Sequence, residues 1–504
     1  MPETPPSLVD LLRTHAAERP QAAALLSVDG GRCDYARLLE AVSEMAAALN
    51  GFGIGRGDRV AVVVPNGTSA AAAFLGVSAG ATCAPLNPGY RREELEFYLD
   101  DLSAKALLVP AGETSPAVEA AEKLGVRLLR MEPTEDGLFR IEGSQPVEPT
   151  FGAGDDEALV LHTSGTTSRP KIVPLTQRNL LASAGAISRT LSLTPADCCL
   201  NVMPLFHIHG LIGALLSSIA AGATVVCTPG FNVMKFFGWL DEMKPSWYTA
   251  VPTMHQALLS RAGRNPEAVE RSKLRLIRSS SAALPPQVLA ELEQTFSAPV
   301  VESYGMTEAA HQMTSNLLPP GARKPGSVGV AAGPDVAVMD PAGNVLPQGE
   351  IGEVVIRGAD VTAGYDKNPT ANTEAFTNGW FRTGDQGRFD EDGYLFLTGR
   401  LKEIINRGGE KISPREIDEV MLDHPDIVQA VAFAMPHEKL GEEIAAAVVL
   451  AEGASSSERD IRRFVGERLA DFKTPRKIVF IDEIPKGPTG KMQRIGLAKR
   501  LGLD

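Results

Sequence analysis

Two stretches of this chain, residues 60–90 and 198–234, contain no charged side chain at all. A membrane span needs about 20 apolar residues in a row. Both stretches are interrupted by Pro, Asn, Ser and Gly and lack basic flanks, so burial inside a soluble protein is the expectation. They also resemble each other. Ser78-Ala79-Gly80-Ala81-Thr82-Cys83-Ala84-Pro85 and Ala220-Ala221-Gly222-Ala223-Thr224-Val225-Val226-Cys227 share one plan: a small-residue helix, a Gly stop, a short apolar strand. Each follows a strand-and-turn signal, at 59–67 and 199–205. Strand, helix and strand in duplicate predict buried parallel sheet in two related α/β halves.

Near Gly333 the texture changes. Short strands at 336–340, 352–358 and 393–397 are separated by turn residues at 341–344 and 390–393, which predicts an antiparallel meander or barrel. After Arg400 helices and strands alternate again, with helices expected at 416–422 and 457–469 and a strand at 428–434. The predicted fold is α/β. A large N-terminal domain, 1–399, holds two related α/β subdomains plus a β-barrel-like subdomain, and a small α+β C-terminal domain spans 400–504.

Lys and Arg number 49 against 62 Asp and Glu, a net charge of −13 that argues against nucleic acid or an anionic membrane as partner. The last residues differ: 459–504 hold 12 Lys and Arg against 6 Asp and Glu, a basic piece suited to small polyanions. The five cysteines form no C-x-x-C pair and sit among apolar neighbours, which favours buried reduced thiols over disulfides or zinc. Residues 1–6 lack the basic and apolar regions of a signal peptide, and Gly502-Leu503-Asp504 is no peroxisomal address, so a cytoplasmic location is expected.

The sharpest chemical signal is Thr163-Ser164-Gly165-Thr166-Thr167-Ser168-Arg169-Pro170-Lys171, directly after the apolar strand at 158–161. Small and hydroxyl residues let the backbone turn tightly and offer donors to phosphate oxygens, and Lys171 adds a point charge. It is not a Walker loop, because Pro170 precedes the lysine and a second glycine is missing. Tyr304-Gly305-Met306-Thr307-Glu308 sets an aromatic face beside a hydroxyl and a carboxylate. Thr383-Gly384-Asp385 reads as a carboxylate on a tight turn, suited to accepting from ribose hydroxyls. Gly399-Arg400-Leu401-Lys402 opens the junction to the last domain, which runs on through Gly408-Gly409. Pro485-Lys486-Gly487-Pro488-Thr489-Gly490-Lys491 clamps an isolated lysine near the C-terminus.

In this order and spacing, the five motifs resemble the adenylate-forming superfamily of acyl-CoA synthetases, luciferases and peptide-synthetase adenylation domains, over essentially the whole chain. Within it, His207-Ile208-His209-Gly210, Trp247-Tyr248-Thr249-Ala250-Val251-Pro252-Thr253 and Glu308-Ala309-Ala310-His311-Gln312-Met313 look most like oxalate–CoA ligases.

The resemblance implies ATP, Mg²⁺ and coenzyme A, and chemistry in two halves. A carboxylate attacks the α-phosphate of ATP to give an acyl-adenylate and pyrophosphate; the CoA thiol then displaces AMP. By similarity, Thr163, Ser164, Gly165, Thr166, Thr167 and Lys171 cradle phosphates, while Glu308 holds Mg²⁺ with Thr307 near the α-phosphate. Tyr304 stacks on adenine, Asp385 binds the ribose and Arg400 assists at ribose or phosphate. Lys491 bridges the carboxylate and the α-phosphate. The mobile C-terminal domain then turns about a hinge at Lys402 and brings Gly408 and Gly409 to the pantetheine tunnel.

His207 matches a family residue near the acyl carbonyl, and His207, Ser280 and His311 are the expected donors to a small polar acid such as oxalate. No obligate protein partner is implied. Aryl or medium-chain acids, carrier-protein loading and an inactive nucleotide-binding relative are the alternatives. Two departures stand out: Ile172 replaces the usual glycine after the phosphate-loop lysine, and Gly487 replaces a common threonine. Ile172 therefore raises the expectation of altered loop flexibility.

Overall fold

The first charge-free stretch centres on a helix that is buried on every side. Strand Arg59–Val62 leads through Gly67 into helix Thr68–Gly80, in which every residue from Ala70 onward is buried. A helix covered all round needs thin side chains so that its neighbours can approach. A Cβ on Gly76 would stand 2.8 Å from the Met45 side chain of helix Tyr35–Gly51. The computed structural model describes residues 6–112, 114–134, 138–163, 170–485 and 492–503.

The second stretch departs from its counterpart. Strand Cys198–Asn201 is followed by a π-helix, His209–Leu216, which runs into the short helix Ser217–Ala220 and strand Thr224–Cys227. The sequence pattern predicts an ordinary helix here. The wider turn carries His209 and Gly213, which both lie against His311, and such insertions recur at functional sites. Among the described residues no helix is long and apolar enough to cross a membrane.

The two halves build two sheets. In seven-stranded order these are Phe139–Ile141, Arg127–Pro133, Ala106–Pro110, Arg59–Val62, Thr82–Pro85, Glu157–Thr163 and Lys171–Thr176, parallel except at both edges. The nine-stranded sheet runs from Val330–Ala331 through His311–Ser315, Val300–Met306, Leu276–Ser279, Trp247–Ala250, Cys198–Asn201, Thr224–Cys227 and Ala23–Ser27 to Arg32–Asp34. Its core is again parallel and its edges antiparallel.

Each sheet has one place where the chain leaves neighbouring strands in opposite directions. In the first sheet Arg59–Val62 leads to Thr82–Pro85 on one side, while Ala106–Pro110 leads to Arg127–Pro133 on the other. In the second, Cys198–Asn201 leads to Thr224–Cys227 and Trp247–Ala250 leads away to Leu276–Ser279. Diverging connections leave a crevice at the carboxyl ends of the strands, where ligands of open α/β sheets bind.

Strands Asp335–Met339, Gly352–Arg357, Phe376–Thr377, Trp380–Phe389 and Leu395–Arg400 pair as an antiparallel meander. The last unit has its own core. Helices Pro414–Leu422 and Glu458–Gly466 cover one face of a sheet built on the hairpin Ile427–His437 and Gly441–Leu450, with Ile417, Met421, Ile444 and Ile461 inside. The cysteines are free thiols and four of the five are buried; burial raises Cys198 to about 11 and Cys227 to about 12.

Candidate active site

The nucleotide side of the site is assembled where strand Val300–Met306 ends. Its last residues run into a single 3-10 turn, Thr307–Ala309, and the chain doubles back as strand His311–Ser315. That reversal is tight. A Cβ on Gly305 would lie 1.5 Å from the His311 carbonyl oxygen, and Ala310 and His311 take φ of +45° and +107°. Non-glycine residues rarely hold such angles unless their surroundings fix them.

Glu308, just past the strand, is buried, and its Oε1 accepts a hydrogen bond from the Tyr365 hydroxyl at 2.9 Å. Burial raises its pKa, against the pull of that hydroxyl and of the nearby charges Lys171 and Arg400. The Lys171 ammonium sits 4.3 Å from the centroid of the Tyr365 ring. Tyr365 is thus central to the site, although sequence reasoning passed over it.

Asp385 lies opposite. The tight turn expected at Thr383-Gly384-Asp385 is instead an irregular stretch inside the long strand Trp380–Phe389, with Gly384 at φ +75°. Thr383 Oγ1 donates to the Val354 carbonyl at 2.8 Å and accepts from the Asp385 N–H at 3.1 Å, which fixes the carboxylate. Asp385 Oδ2 accepts from the Tyr304 hydroxyl at 2.5 Å, and Oδ1 accepts from Arg400 Nε at 3.2 Å. Tyr304, Glu308, Asp385, Arg400 and Lys171 are therefore brought together, with Thr307 beside them in the chain. Thr163 pairs with Lys171 across a hairpin, and its hydroxyl donates to the Lys171 carbonyl at 3.4 Å. Ile172 is buried in that hairpin opposite His162, so the departure from glycine places a strand residue in the core. Ser164, Gly165, Thr166, Thr167 and Lys491 lie outside the described residues.

A second polar group stands at the crevice of the nine-stranded sheet. His209 is fully buried; its Nε2 is 2.6 Å from Thr249 Oγ1 and its Nδ1 3.1 Å from Ser281 Oγ. Its ring stacks on His311 with centroids 4.9 Å apart. His311 Nε2 is 3.0 Å from Arg278 Nη1. His207 is half-buried and its Nδ1 accepts from the His209 N–H at 3.3 Å. Ser280, expected to donate to the acid, donates its hydroxyl to the Ser303 carbonyl at 3.0 Å and so ties two strand ends together. His209, Thr249, Ser281 and Arg278 are the residues sequence reasoning did not assign. His209 and Thr249 lay in segments that carried the resemblance without being given a role, while Arg278 and Ser281 stand at a strand end that only the ordered sheet reveals.

At the junction, several hydrogen bonds tie the C-terminal unit to the rest, among them Gln287 to Asp423 and the Ser413 hydroxyl to the Thr398 carbonyl. Arg415 Nη1 donates to the Leu397 carbonyl at 3.1 Å, and Arg494 holds Glu403 at 3.2 Å and Asp418 at 2.7 Å. Lys402 is exposed within this junction. Gly408 and Gly409 form the turn of the hairpin Ile405–Arg407 and Glu410–Ile412 with φ of +59° and +100°, and the Gly408 N–H donates to the Leu440 carbonyl at 2.9 Å inside the same unit.

Comparison with known proteins agrees with this arrangement. Residues 12–366 match the AMP-binding enzyme family and residues 416–491 match the AMP-binding enzyme C-terminal domain. The chain is 46% identical over 501 residues to an oxalate–CoA ligase of Arabidopsis thaliana, covering 97% of both chains. It is 44% identical over 476 residues to an oxalate–CoA ligase of Saccharomyces cerevisiae, covering 88% of this chain and 87% of the other. The crystal structure of ATP-bound MatB from Rhodopseudomonas palustris superposes with a TM-score of 0.88 at 29% identity, covering 98% of both chains. With the family matched across both its parts, this chain belongs to the AMP-binding enzymes, and among them to the acid–CoA ligases.

Proposed function

We propose that this enzyme joins oxalate to coenzyme A through an oxalyl-adenylate, consuming ATP and releasing AMP and pyrophosphate. The observation that carries this reading is the buried His209, His311 and Arg278 group, whose His311 stands on the same chain reversal as Glu308. An acid with a second carboxylate needs donors and positive charge once it leaves water. A long aliphatic acid would place an apolar chain against these buried polar groups and gain nothing from them.

The roles follow the chemistry. One carboxylate oxygen attacks the α-phosphorus, and the bond to the pyrophosphate oxygen breaks. Little covalent help is needed, so positioning and charge carry the step. Asp385 and Tyr304 receive the nucleoside; Lys171, with Thr163 and the 164–167 loop, receives the phosphates; Lys491 spans the reacting carboxylate and the α-phosphate. Glu308 is a lone carboxylate beside the phosphate residues, the donor set Mg²⁺ takes when most of its ligands are phosphate oxygens and water. There the ion would offset phosphate charge. Thr307 lies within reach of the α-phosphate.

In the second half the CoA sulfur attacks the acyl carbon and AMP leaves. His207 borders that carbonyl, Lys402 is the hinge between domains 1–399 and 400–504, and the Gly408-Gly409 turn leaves room for pantetheine. The test is pyrophosphate release across a panel of acids, followed by CoA-dependent AMP formation. Oxalate should give both at the highest kcat/KM. Release of pyrophosphate with a medium-chain or aryl acid but not with oxalate would overturn the substrate assignment.

A further inference from the structure

The acid crevice contains a cation that none of these steps uses. Arg278 lies in the core strand Leu276–Ser279, three residues before Ser281, whose hydroxyl meets His209, and none of its surface is exposed. A guanidinium so placed ordinarily faces a carboxylate. Here Nη1 donates to His311 Nε2 at 3.0 Å and Nη2 donates to Gln312 Oε1 at 3.1 Å, and both acceptors are neutral. Its Nε has no partner, and no carboxylate pairs with it among the described residues. Burial pulls its pKa down to about 9.

The neighbours are built around this contact. Gln312 Nε2 donates to the Ala332 carbonyl at 2.8 Å, which fixes the amide with its oxygen toward Arg278. A guanidinium can only donate, so its partner nitrogen on His311 must be the bare one. The ring proton of His311 is therefore assigned, from this partner, to Nδ1. Space for the histidine comes from Gly213 of the π-helix, where a Cβ would stand 2.5 Å from His311 Nε2.

We propose that Arg278 is a specificity-determining positioning residue, whose uncompensated charge holds His311 as an Nδ1–H donor and favours acids bearing a second negative charge. This rests on the acid–CoA ligase reading and narrows its substrates to small dianions. A carboxylate entering a dry site must be met by charge or donors. An acid without a second charge gains nothing from Arg278, because its reacting carboxylate is met on the nucleotide side.

The test pairs Arg278→Met, close in length and uncharged, with Arg278→Lys, which keeps the charge. Pyrophosphate release is measured with oxalate and with glyoxylate, which keeps the two-carbon frame but has an aldehyde in place of one carboxylate; melting is followed in parallel. Arg278→Met should lower kcat/KM for oxalate about 100-fold, mostly through KM, and alter glyoxylate less than about threefold. Its melting temperature should not fall, since a buried charge without a counter-charge is removed. Arg278→Lys should recover part of the oxalate rate. Equal losses on both acids, or a collapse in melting temperature, would mean that Arg278 serves only packing. Wild type that rejects oxalate yet prefers malonate to acetate sinks the oxalate assignment and leaves Arg278 its role. Wild type that prefers acetate overturns both.

Discussion

The seven-stranded and nine-stranded halves open the same kind of crevice and fill it differently. Beyond the strand ends of the first, Val64, Pro65, Pro110, Met131 and Phe139 form the apolar side of a cavity of about 420 Å³, which Ser27, Asp29 and Cys227 of the second help to close. The corresponding strand ends of the second carry Thr249, Arg278 and Ser280, with His209 packed against them. Their interiors differ in the same way. Between residues 16 and 176, among the described residues, only Ser78 and Thr82 are buried polar side chains, whereas His209, His255, Arg278, Glu302 and His311 are all buried in the second half. Topology supplies a crevice in each half, and chemistry appears where the chain accepts the desolvation cost of polar groups. The first half is mostly scaffold, adding Thr163 and Lys171 from its edge hairpin, and the second holds the buried polar part of the site.

The largest expected effect tests this division with one substitution in each half. Gly213→Ala places a methyl group 2.5 Å from His311 Nε2 and 3.0 Å from His209 Cδ2, so the stacked pair has to shift. Misplacement on that scale should cost about 100-fold in kcat/KM for oxalate, with the circular dichroism spectrum unchanged. Gly76→Ala also creates a clash, at 2.8 Å from Met45, but only between packing groups. It should leave kcat/KM within about twofold. Its stability should fall by about 1 kcal/mol, the overpacking cost being partly offset by better helix propensity, as read by denaturant unfolding. A large activity loss from Gly76→Ala, or none from Gly213→Ala, would erase the distinction.

What the sequence made legible follows the same line. The two charge-free stretches betrayed both halves, because strands covered on both faces have no place for charge. The resemblance singled out Tyr304, Glu308 and Asp385, and in the structure the Tyr304 hydroxyl donates to Asp385 while Glu308 accepts from Tyr365. Tyr365 and Arg278 were not. Each acts on a residue far away in the chain, and locally each sits in a segment that offers no pattern: Tyr365 follows Gly364 in a loop, and Arg278 is one charge in an apolar strand. The turn expected around Asp385 failed for a related reason. Thr-Gly-Asp reads as a turn locally, but pairing with Gly352–Arg357 and Leu395–Arg400 draws it into a strand whose irregularity Gly384 absorbs.

The smallest effect concerns a buried carboxylate that the scaffold half lacks among the described residues, where Glu157 meets Arg59 and Asp101 meets His162. Glu302 lies under the C-terminal unit; Oε1 accepts from the Leu284 N–H at 2.9 Å and Oε2 has no partner among the described residues. Burial lifts its pKa from the ordinary 4.5 to about 7, against the opposing pull of Arg415. The sign follows from proton counting. Below about pH 4.5 folded and unfolded chains both hold this proton; between about 4.5 and 7 the folded chain alone keeps it, so stability falls as pH rises. Above 7 the deficit is constant. Glu302→Gln keeps an oxygen for Leu284 and removes the titration. Its melting temperature should exceed that of wild type by about 1–3 °C at pH 8, with a smaller gap at pH 5. A gap that is flat across this range would mean that Glu302 ionises as an exposed carboxylate does. The tolerance for desolvated charge would then be confined to the residues around His311.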